Sequence, residues 1–488
     1  MIAPADIVLT PLLPFLILLV AASAALLIDV VQHRAQTGGP LALVGLTFAA
    51  VSYLVQFGGA RTEPTAVFGL HWVVDVPAVA LGLIVLFGAI LSVLGGWTRV
   101  RRDDLDRPEY HPLLLLATAG GLVMVHAGDF VILLLGLEIL SLSVYALAAW
   151  RPDRRPSQEA GMKYFLLGAF ASAILVYGIA LTYGATGTFD YGGVAQALLA
   201  GAGPLALAGG ALIVVGLGFK VAFAPFHQWA PDVYTGAPTP VTTFMSVVVK
   251  AAAFGALLRI VATAWSGALP ELEVALAVLV GATLLVGNFG ALLQSGVKRL
   301  LAYSAVAHAG YLGLAVVAAA HGAFATEALI WYLAAYAAMN AGAFVVTMHV
   351  MGDDPDRGDR IEAFEGLGAR RPGVAAAMTL FLLSLGGIPP LAGFVGKFLA
   401  IQAAVRVDHV ALAVVAVLGA VVGLVAYLRP VFAIWFRDGR SSVPALAGPV
   451  RAAVVLAAVA TVVLGLAPDL AYRWIEGSGP LALVPWTP

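Results

Sequence analysis

Fourteen times along this chain an apolar run comes close to, or exceeds, the length that crosses a lipid bilayer, and that repetition leaves few folds open. A hydrocarbon core of about 30 Å takes about 20 helical residues. Runs of this kind lie at 9–30, 41–57, 76–98, 112–127, 130–150, 161–184, 205–226, 239–264, 273–294, 299–320, 326–350, 373–405, 410–436 and 450–470. Inside a bilayer the backbone must satisfy its own polar groups, which permits only helices and closed barrels. A barrel would read as short segments of alternating polarity. These runs are continuous, so the sequence predicts an all-α polytopic membrane protein of about fourteen transmembrane helices.

Of 488 residues, 61% are apolar and 11% charged, against about 45–50% and about 25% in soluble domains. The longest charged connections, 99–111 and 353–371, are loop-sized, so residues 1–488 read as one membrane domain. No basic region precedes the first apolar run and no small-residue cleavage site follows it, so it reads as a spanning helix, not a signal peptide. There are no cysteines, which excludes thiolate-held iron–sulfur clusters and thiolate zinc sites in this chain. The sequence contains no phosphate-binding loop of the G-x-x-x-x-G-K-[ST] type. Gly216 and Gly218 sit inside an apolar helix, where they are no dinucleotide fingerprint. Nothing suggests nucleic acid as a partner.

Lysine and arginine mark the cytoplasmic loops of membrane proteins. With the N-terminus outward, eighteen of the 26 basic residues fall in cytoplasmic loops, including Arg34, Arg99, Arg151, Arg154, Lys298, Arg357, Arg371 and Arg440. Only Arg61, Arg406 and Arg473 fall outside. The expectation is N-out and C-out, with the loop 227–238 cytoplasmic by parity. Lys220, Lys250, Arg259, Lys397 and Arg429 lie within spans.

A charge at the bilayer centre costs about 2.5–3.5 kcal/mol even on the lenient insertion scale, and such residues commonly mark a pathway. Four stand out: Glu138 in GLEIL, Lys220 in GFKVAF, Lys250 in VVVKAAA and Lys397 in FVGKF. A structural ion pair would account for Glu138 and one lysine and leave two amines without a deep carboxylate. The functional alternative is a lateral row of protonatable groups. Burial favours the neutral amine and a nearby carboxylate favours the ammonium, so a lysine between those effects can load and release a proton. Arginine cannot, because it keeps its proton. Pro225 follows Lys220, and Gly386, Gly387, Pro389 and Pro390 precede Lys397, which predicts broken helices seven and twelve. Broken helices at membrane depth occur where backbone lines a cavity or is buried in protein, and they point to transport sites; an ordinary proline kink is the plainer reading of Pro225.

His308, about ten residues into its span, is a candidate relay between lysines, with a packing histidine as the alternative. His227, just past the break, is a candidate point of access from the cytoplasm. Tyr303, Ser304, Tyr311, Asn340 and Tyr427 could hold water or simply join helices. Arg259 is expected to snorkel outward, Arg429 to line a path, and Asp29 and Asp129 to be solvated at span ends.

Three stretches, GFKVAFAPFHQWAPDVYTGAPTPVTTF at 218–244, KRLLAYSAVAHAGYLGL at 298–314 and LSLGGIPPLAGFVGKF at 383–398, closely resemble the signatures of the antiporter-like membrane subunits of complex I, NADH–quinone oxidoreductase, which are related to Mrp-type Na⁺/H⁺ antiporters. The resemblance covers essentially the whole chain and is nearest the subunit N type. It lacks the long lateral helix of the subunit L type, and it carries Lys397 where the subunit M type usually has Glu. The resemblance implies two inverted five-helix repeats, 112–264 for spans four to eight and 273–436 for spans nine to thirteen. Three helices precede them in 1–111 and helix fourteen follows at 450–470. The break lies on the cytoplasmic side of both Lys220 and Lys397, so the inversion is approximate. Carried over by motif, Glu138 and Lys220 form the pair of the first half-channel, Lys250 connects, and Lys397 serves the second. Also implied are a bacterial inner-membrane location and partners among the other complex I membrane subunits. No redox cofactor is expected in this chain; flavin, iron–sulfur clusters and quinone belong to other subunits. An Mrp-type cation/proton antiporter subunit is the main alternative, and a structural membrane subunit the third.

Overall fold

The computed structural model describes residues 9–32, 37–62, 64–69, 71–103, 105–201, 203–266, 270–352, 359–439 and 443–477. Arg34, Arg357 and Arg440 of the basic loops lie outside the described residues. The chain runs α1 (Leu13–Gln32), α2 (Gly38–Thr62), β1 (Thr65–Val67), β2 (Trp72–Val74), α3 (Val76–Arg102), α4 (Tyr110–His126), α5 (Phe130–Ala148), α6 (Arg155–Thr186), α7 (Tyr191–Leu199), α8 (Gly203–Val221) and α9 (Trp229–Gly236). Then α10 (Thr239–Phe244), a π-helical turn (Met245–Val249) and α11 (Lys250–Ala262) follow without interruption. The rest is α12 (Pro270–Leu292), α13 (Val297–Ala318), α14 (Ala323–Met351), the single turn α15 (Leu367–Arg370), α16 (Pro372–Gly386), α17 (Ala392–Arg406), α18 (Val410–Phe436), α19 (Gly448–Leu466) and α20 (Pro468–Ile475).

Among the described residues twelve helices are long and apolar enough to cross a bilayer, and α4 and α16 are shorter apolar helices. With α16 and α17 as two halves of one span, the fourteen expected crossings are all present. The runs α4–α11 and α12–α18 each contain five crossings, and each breaks its fourth. Five is odd, so the second run begins on the opposite side from the first. Buried most completely are α10–α11, α13 and α14, while α1, α6 and α19 present much of their apolar surface to the surroundings.

The sequence did not announce the antiparallel hairpin β1–β2, which pairs Thr65 with Val74 and Val67 with Trp72. Nor did it announce short α7 and α9 at the ends of spans. The first helix of the Arg151 loop starts at Arg155, so Lys163 is a helical residue paired with Glu159 at 2.6 Å and Asp232 at 2.8 Å.

Four expectations are corrected. Arg259 does not snorkel: its guanidinium is 4% exposed and makes two 3.0 Å bonds to Asp75, plus one of 3.1 Å to the Val125 carbonyl. Asp75 also caps α3 by accepting from the Ala78 amide at 2.8 Å, so its carboxylate was available at depth. Asp129 is buried, caps α5 through the Val131 and Ile132 amides, and meets His71 at 2.7 Å. Asp29 is buried beneath Thr37, whose amide and hydroxyl both donate to it. Arg429 lies on the outer surface of α18, where it donates to the Leu292 and Gln294 carbonyls left open at the end of α12.

Candidate functional site

Both breaks arise where the local sequence cannot continue a helix. After α8, Ala222 takes a left-handed conformation (φ 65°) and Pro225 lacks an amide donor. The exposed backbone is then satisfied from outside: the Ala224 amide donates to Thr283 Oγ1 at 2.9 Å, and the Trp229 indole donates to the Phe219 carbonyl at 2.9 Å. At the second break Gly387 (φ 87°) closes α16, its amide donating to Leu383 and Ser384, while Ile388 reaches back to Leu383. This is the glycine-ended cap that a side chain at that φ would strain. Ser384 Oγ in turn accepts from the Gly393 amide at 3.0 Å and joins the two half-helices.

Beside each break stands a buried lysine. Lys220, on the last turn of α8, is 3% exposed. Its ammonium donates to the Tyr145 hydroxyl at 3.1 Å and lies 4.9, 5.5 and 5.9 Å from the ring centres of Tyr145, Tyr164 and Phe219. Such faces attract a cation electrostatically. Glu138 is half-buried on α5, seven residues before Tyr145 and so on the same helical face. Among the described residues Glu138 and Lys220 form no direct ion pair, and Tyr145 stands beside the amine. The locked ion pair considered from sequence is therefore not what the fold builds.

Lys250 opens α11 immediately after the π turn and is 2% exposed. It donates to the Ala305 carbonyl on α13 and lies 5.9 Å from the Tyr336 ring centre. His308, fully buried one turn beyond Ala305, has its ring 5.2 Å from Tyr336 and 6.0 Å from Tyr311, with Nδ1 hydrogen-bonded to the Tyr332 hydroxyl at 2.8 Å. Lys397, 5% exposed on α17, lies 4.8 Å from the Tyr311 ring centre and donates to the Gly386 carbonyl at 3.0 Å. That carbonyl is at the end of α16, where helical carbonyls lack partners and a cation is favoured. Lys250, His308 and Lys397 are thus brought together around Tyr311, Tyr332 and Tyr336. Glu138 and Lys220 form a separate group around Tyr145 and Tyr164. His227 stands in the break, half-buried, and belongs to neither group.

Several buried polar atoms along this line have no protein partner: Glu138 Oε1, Tyr164 Oη, His227 Nδ1, His308 Nε2, Tyr336 Oη and Asn340 Oδ1. Buried polar atoms are nearly always satisfied by protein or bound water, so these positions are suited to water. Of the secondary candidates, Ser304 and Tyr427 bond to each other at 2.6 Å and Asn340 donates to Ser246 at 2.8 Å. Tyr311 bonds to the Ala416 carbonyl at 3.1 Å. Tyr303 is half-buried against Gly290.

Sequence reasoning missed Tyr145, Tyr164, Tyr332 and Tyr336. A signal existed for some of them. Tyr332, Tyr336 and Asn340 are spaced i, i+4, i+8 along the middle of α14, and Tyr145 repeats Glu138 two turns on.

Comparison with known proteins places this geometry. Residues 127–423 match the family model described as NADH:quinone oxidoreductase/Mrp antiporter, TM. The NADH-quinone oxidoreductase subunit N of Deinococcus radiodurans is 41% identical over 483 residues, covering 96% of both chains. That of Trichlorobacter lovleyi is 37% identical over 476 residues with the same coverage. Among solved structures, a chain of respiratory complex I from Thermus thermophilus superposes with a TM-score of 0.80 at 39% identity, covering 94% of this chain and 98% of that one. A chain of the Mrp complex from Dietzia sp. shares the fold, with a TM-score of 0.83 at 23% identity over 95% of each chain. With residues 127–423 matched by the family model and the subunit N relatives aligned over 96% of the chain, the chain belongs to the NADH:quinone oxidoreductase/Mrp antiporter transmembrane family.

Proposed function

We propose that this chain is the proton-translocating, antiporter-like membrane subunit of a bacterial NADH–quinone oxidoreductase, carrying protons along Glu138, Lys220, Lys250, His308 and Lys397 while other subunits carry out the redox chemistry. The observation that carries the reading is the set of three enclosed lysines, two of them beside helix breaks, ringed by tyrosines and by buried polar atoms without a hydrogen-bond partner among the described residues. Flavin, iron–sulfur clusters and quinone belong to partner subunits on this reading, and the sister antiporter-like subunits lie beside this one in the membrane. The Mrp-type alternative shares the fold. The subunit N relatives, at 37–41% identity over nearly the whole chain, favour the complex I role over it.

Lys220 exchanges its proton under the influence of Glu138, with the Tyr145 hydroxyl as the nearest acceptor. Lys250 passes the proton by way of His308 and water to Lys397. His227 marks the approach from the cytoplasm. The helices of 112–264 and 273–436 supply the two halves of the path, flanked by 1–111 and by 450–470. The basic loops support an inner-membrane orientation with both termini outward. Single cysteines test that orientation: Thr65→Cys, exposed in the hairpin, should react with an impermeant thiol reagent on intact cells, and Gln158→Cys should not. Labelling of Gln158→Cys from outside reverses the assignment.

The relay is tested by Lys220→Arg and Lys397→Arg, with NADH-driven proton pumping in vesicles normalised to assembled complex on a native gel. Arginine keeps the charge and cannot release its proton, so both should pump far below the parent rate. Normal rates per complex in both would leave the lysines as packing residues.

A further inference from the structure

The two five-helix runs end very differently on the side assigned as outward. In the first run the end of α11 is closed, and the one carboxylate–imidazole contact described on that side, Asp129 with His71, has its carboxylate buried as the cap of α5. Arg259 and Asp75 are 4% and 6% exposed and bonded twice to each other, and the residues of α11 from Ala251 to Leu258 are apolar and buried. His126 stacks between Trp72 and Tyr53 at 4.6 and 5.6 Å, with Nδ1 on the Val73 carbonyl and Nε2 on the Tyr53 hydroxyl. A permanent cation held against a carboxylate repels a proton and does not exchange one.

In the second run the same side carries a partly exposed carboxylate between two imidazoles. Glu273 opens α12, His321 follows α13 and His409 precedes α18. Glu273 Oε2 meets His321 Nε2 at 2.9 Å and Oε1 meets His409 Nε2 at 2.8 Å. Their side chains are 26%, 42% and 23% exposed, which gives them access to outside water. The other charged groups on these segments are Glu271, Arg406 and Asp408. Arg406 is turned onto the Phe324 ring at 3.7 Å, and Glu327 of α14 is occupied by Tyr472 and the Gly477 amide.

The lysine row leads toward this group. The Tyr311 ring beneath Lys397 sends its hydroxyl to Ala416 of α18. His409 lies seven residues before Ala416, two turns and about 10 Å outward on the same face. Ala413 and Ala416, between them, are small and buried.

We propose that Glu273, with His321 and His409, is the outward proton-release group of the second run, receiving the proton that leaves Lys397. This rests on the relay reading above. The step moves a proton alone: an N–H bond of the Lys397 ammonium breaks, water carries the proton outward, and the carboxylate–imidazole group passes it to bulk water. Imidazole suits the task because its two ring nitrogens can accept a proton on one side and donate one on the other.

The test uses the assembled complex in proteoliposomes with the pH of the outward side varied. Glu273→Gln and the pair His321→Asn with His409→Asn should each cut protons moved per NADH oxidised by at least about twofold. NADH oxidation under uncoupler should stay at the parent rate. Glu273→Asp should restore the ratio with a displaced outward-pH profile, which a structural clamp would not produce. Parent ratios and an unchanged pH profile in Glu273→Gln and in the histidine pair overturn the assignment, as does a loss of assembled complex with the ratio intact. Lys397→Ala run in parallel separates the two claims. If it alone fails to pump, the relay stands and this release group falls; if it too pumps normally, the relay itself is wrong.

Discussion

Lys220 and Lys397 occupy corresponding places beside the broken helix of each five-helix run, yet different things hold them. Lys220 is held by side chains: the Tyr145 hydroxyl and three ring faces, all on α5, α6 and α8. Lys397 has its hydrogen bond to backbone, the Gly386 carbonyl at the end of the half-helix α16, with the Tyr311 ring face at 4.8 Å. The first amine therefore responds to what changes on α5, including Glu138 at the edge of an exposed stripe of Leu135, Ile139 and Leu142. The second responds to the shape of its own helix break. On the proposed relay one half is tuned by neighbouring charge and the other by helix geometry, so a substitution should reveal which half it touches by the kind of defect it causes.

The larger effect is expected at Gly387. Its φ of 87° costs a side-chain-bearing residue about 1–2 kcal/mol. A Cβ there would also lie 3.1 Å from Lys397 Cδ and 3.3 Å from Nζ. Gly387→Ala should slow proton pumping per assembled complex several-fold, whereas Gly373→Ala, where a Cβ meets nothing within 4 Å, should leave it unchanged. Equal rates in both would remove the claim that the break sets the state of Lys397.

A smaller effect is expected at Tyr145. Tyr145→Phe removes the hydroxyl at 3.1 Å but keeps the ring face at 4.9 Å. A hydrogen bond to a charged group contributes about 1.5–3 kcal/mol, of which the retained ring and water recover part. Pumping should fall modestly, less than in Gly387→Ala. If Tyr145→Phe proves the more damaging of the two, the contrast between a side-chain-held and a backbone-held amine is misassigned.

The fourteen crossings were legible because hydrophobic length reports directly on bilayer thickness. The two breaks were legible because proline removes a backbone donor and the GGIPP run adds glycines that disfavour a continuous helix. The deep charges were legible for the same reason that any charge in an apolar run is conspicuous. Less legible was everything that depends on which helix lies beside which. Asp75 reads as a loop carboxylate until α11 brings Arg259 to it, and Asp129 reads as solvated until the hairpin brings His71. The i, i+4 spacing of Tyr332 and Tyr336 marks one helical face, but the packing of α14 against α13 is what turns that face to Lys250 and His308.

The π-helical turn at Met245–Val249 is a matter of phase. On a uniform α-helix Thr239, Thr243, Ser246 and Lys250 would share one stripe, since their spacings are four, three and four. One surplus residue in a turn rotates everything after it by about 100° relative to everything before it. The polar column at the start of the helix and the amine at its middle thus address different neighbours, and Lys250 faces the Ala305 carbonyl because the count is off by one. A change of identity within 245–249 leaves that offset alone; a change of length by a single residue does not. What this stretch preserves is arithmetic, an insertion whose removal would swing the central lysine of the row out of line without altering any residue of the row itself.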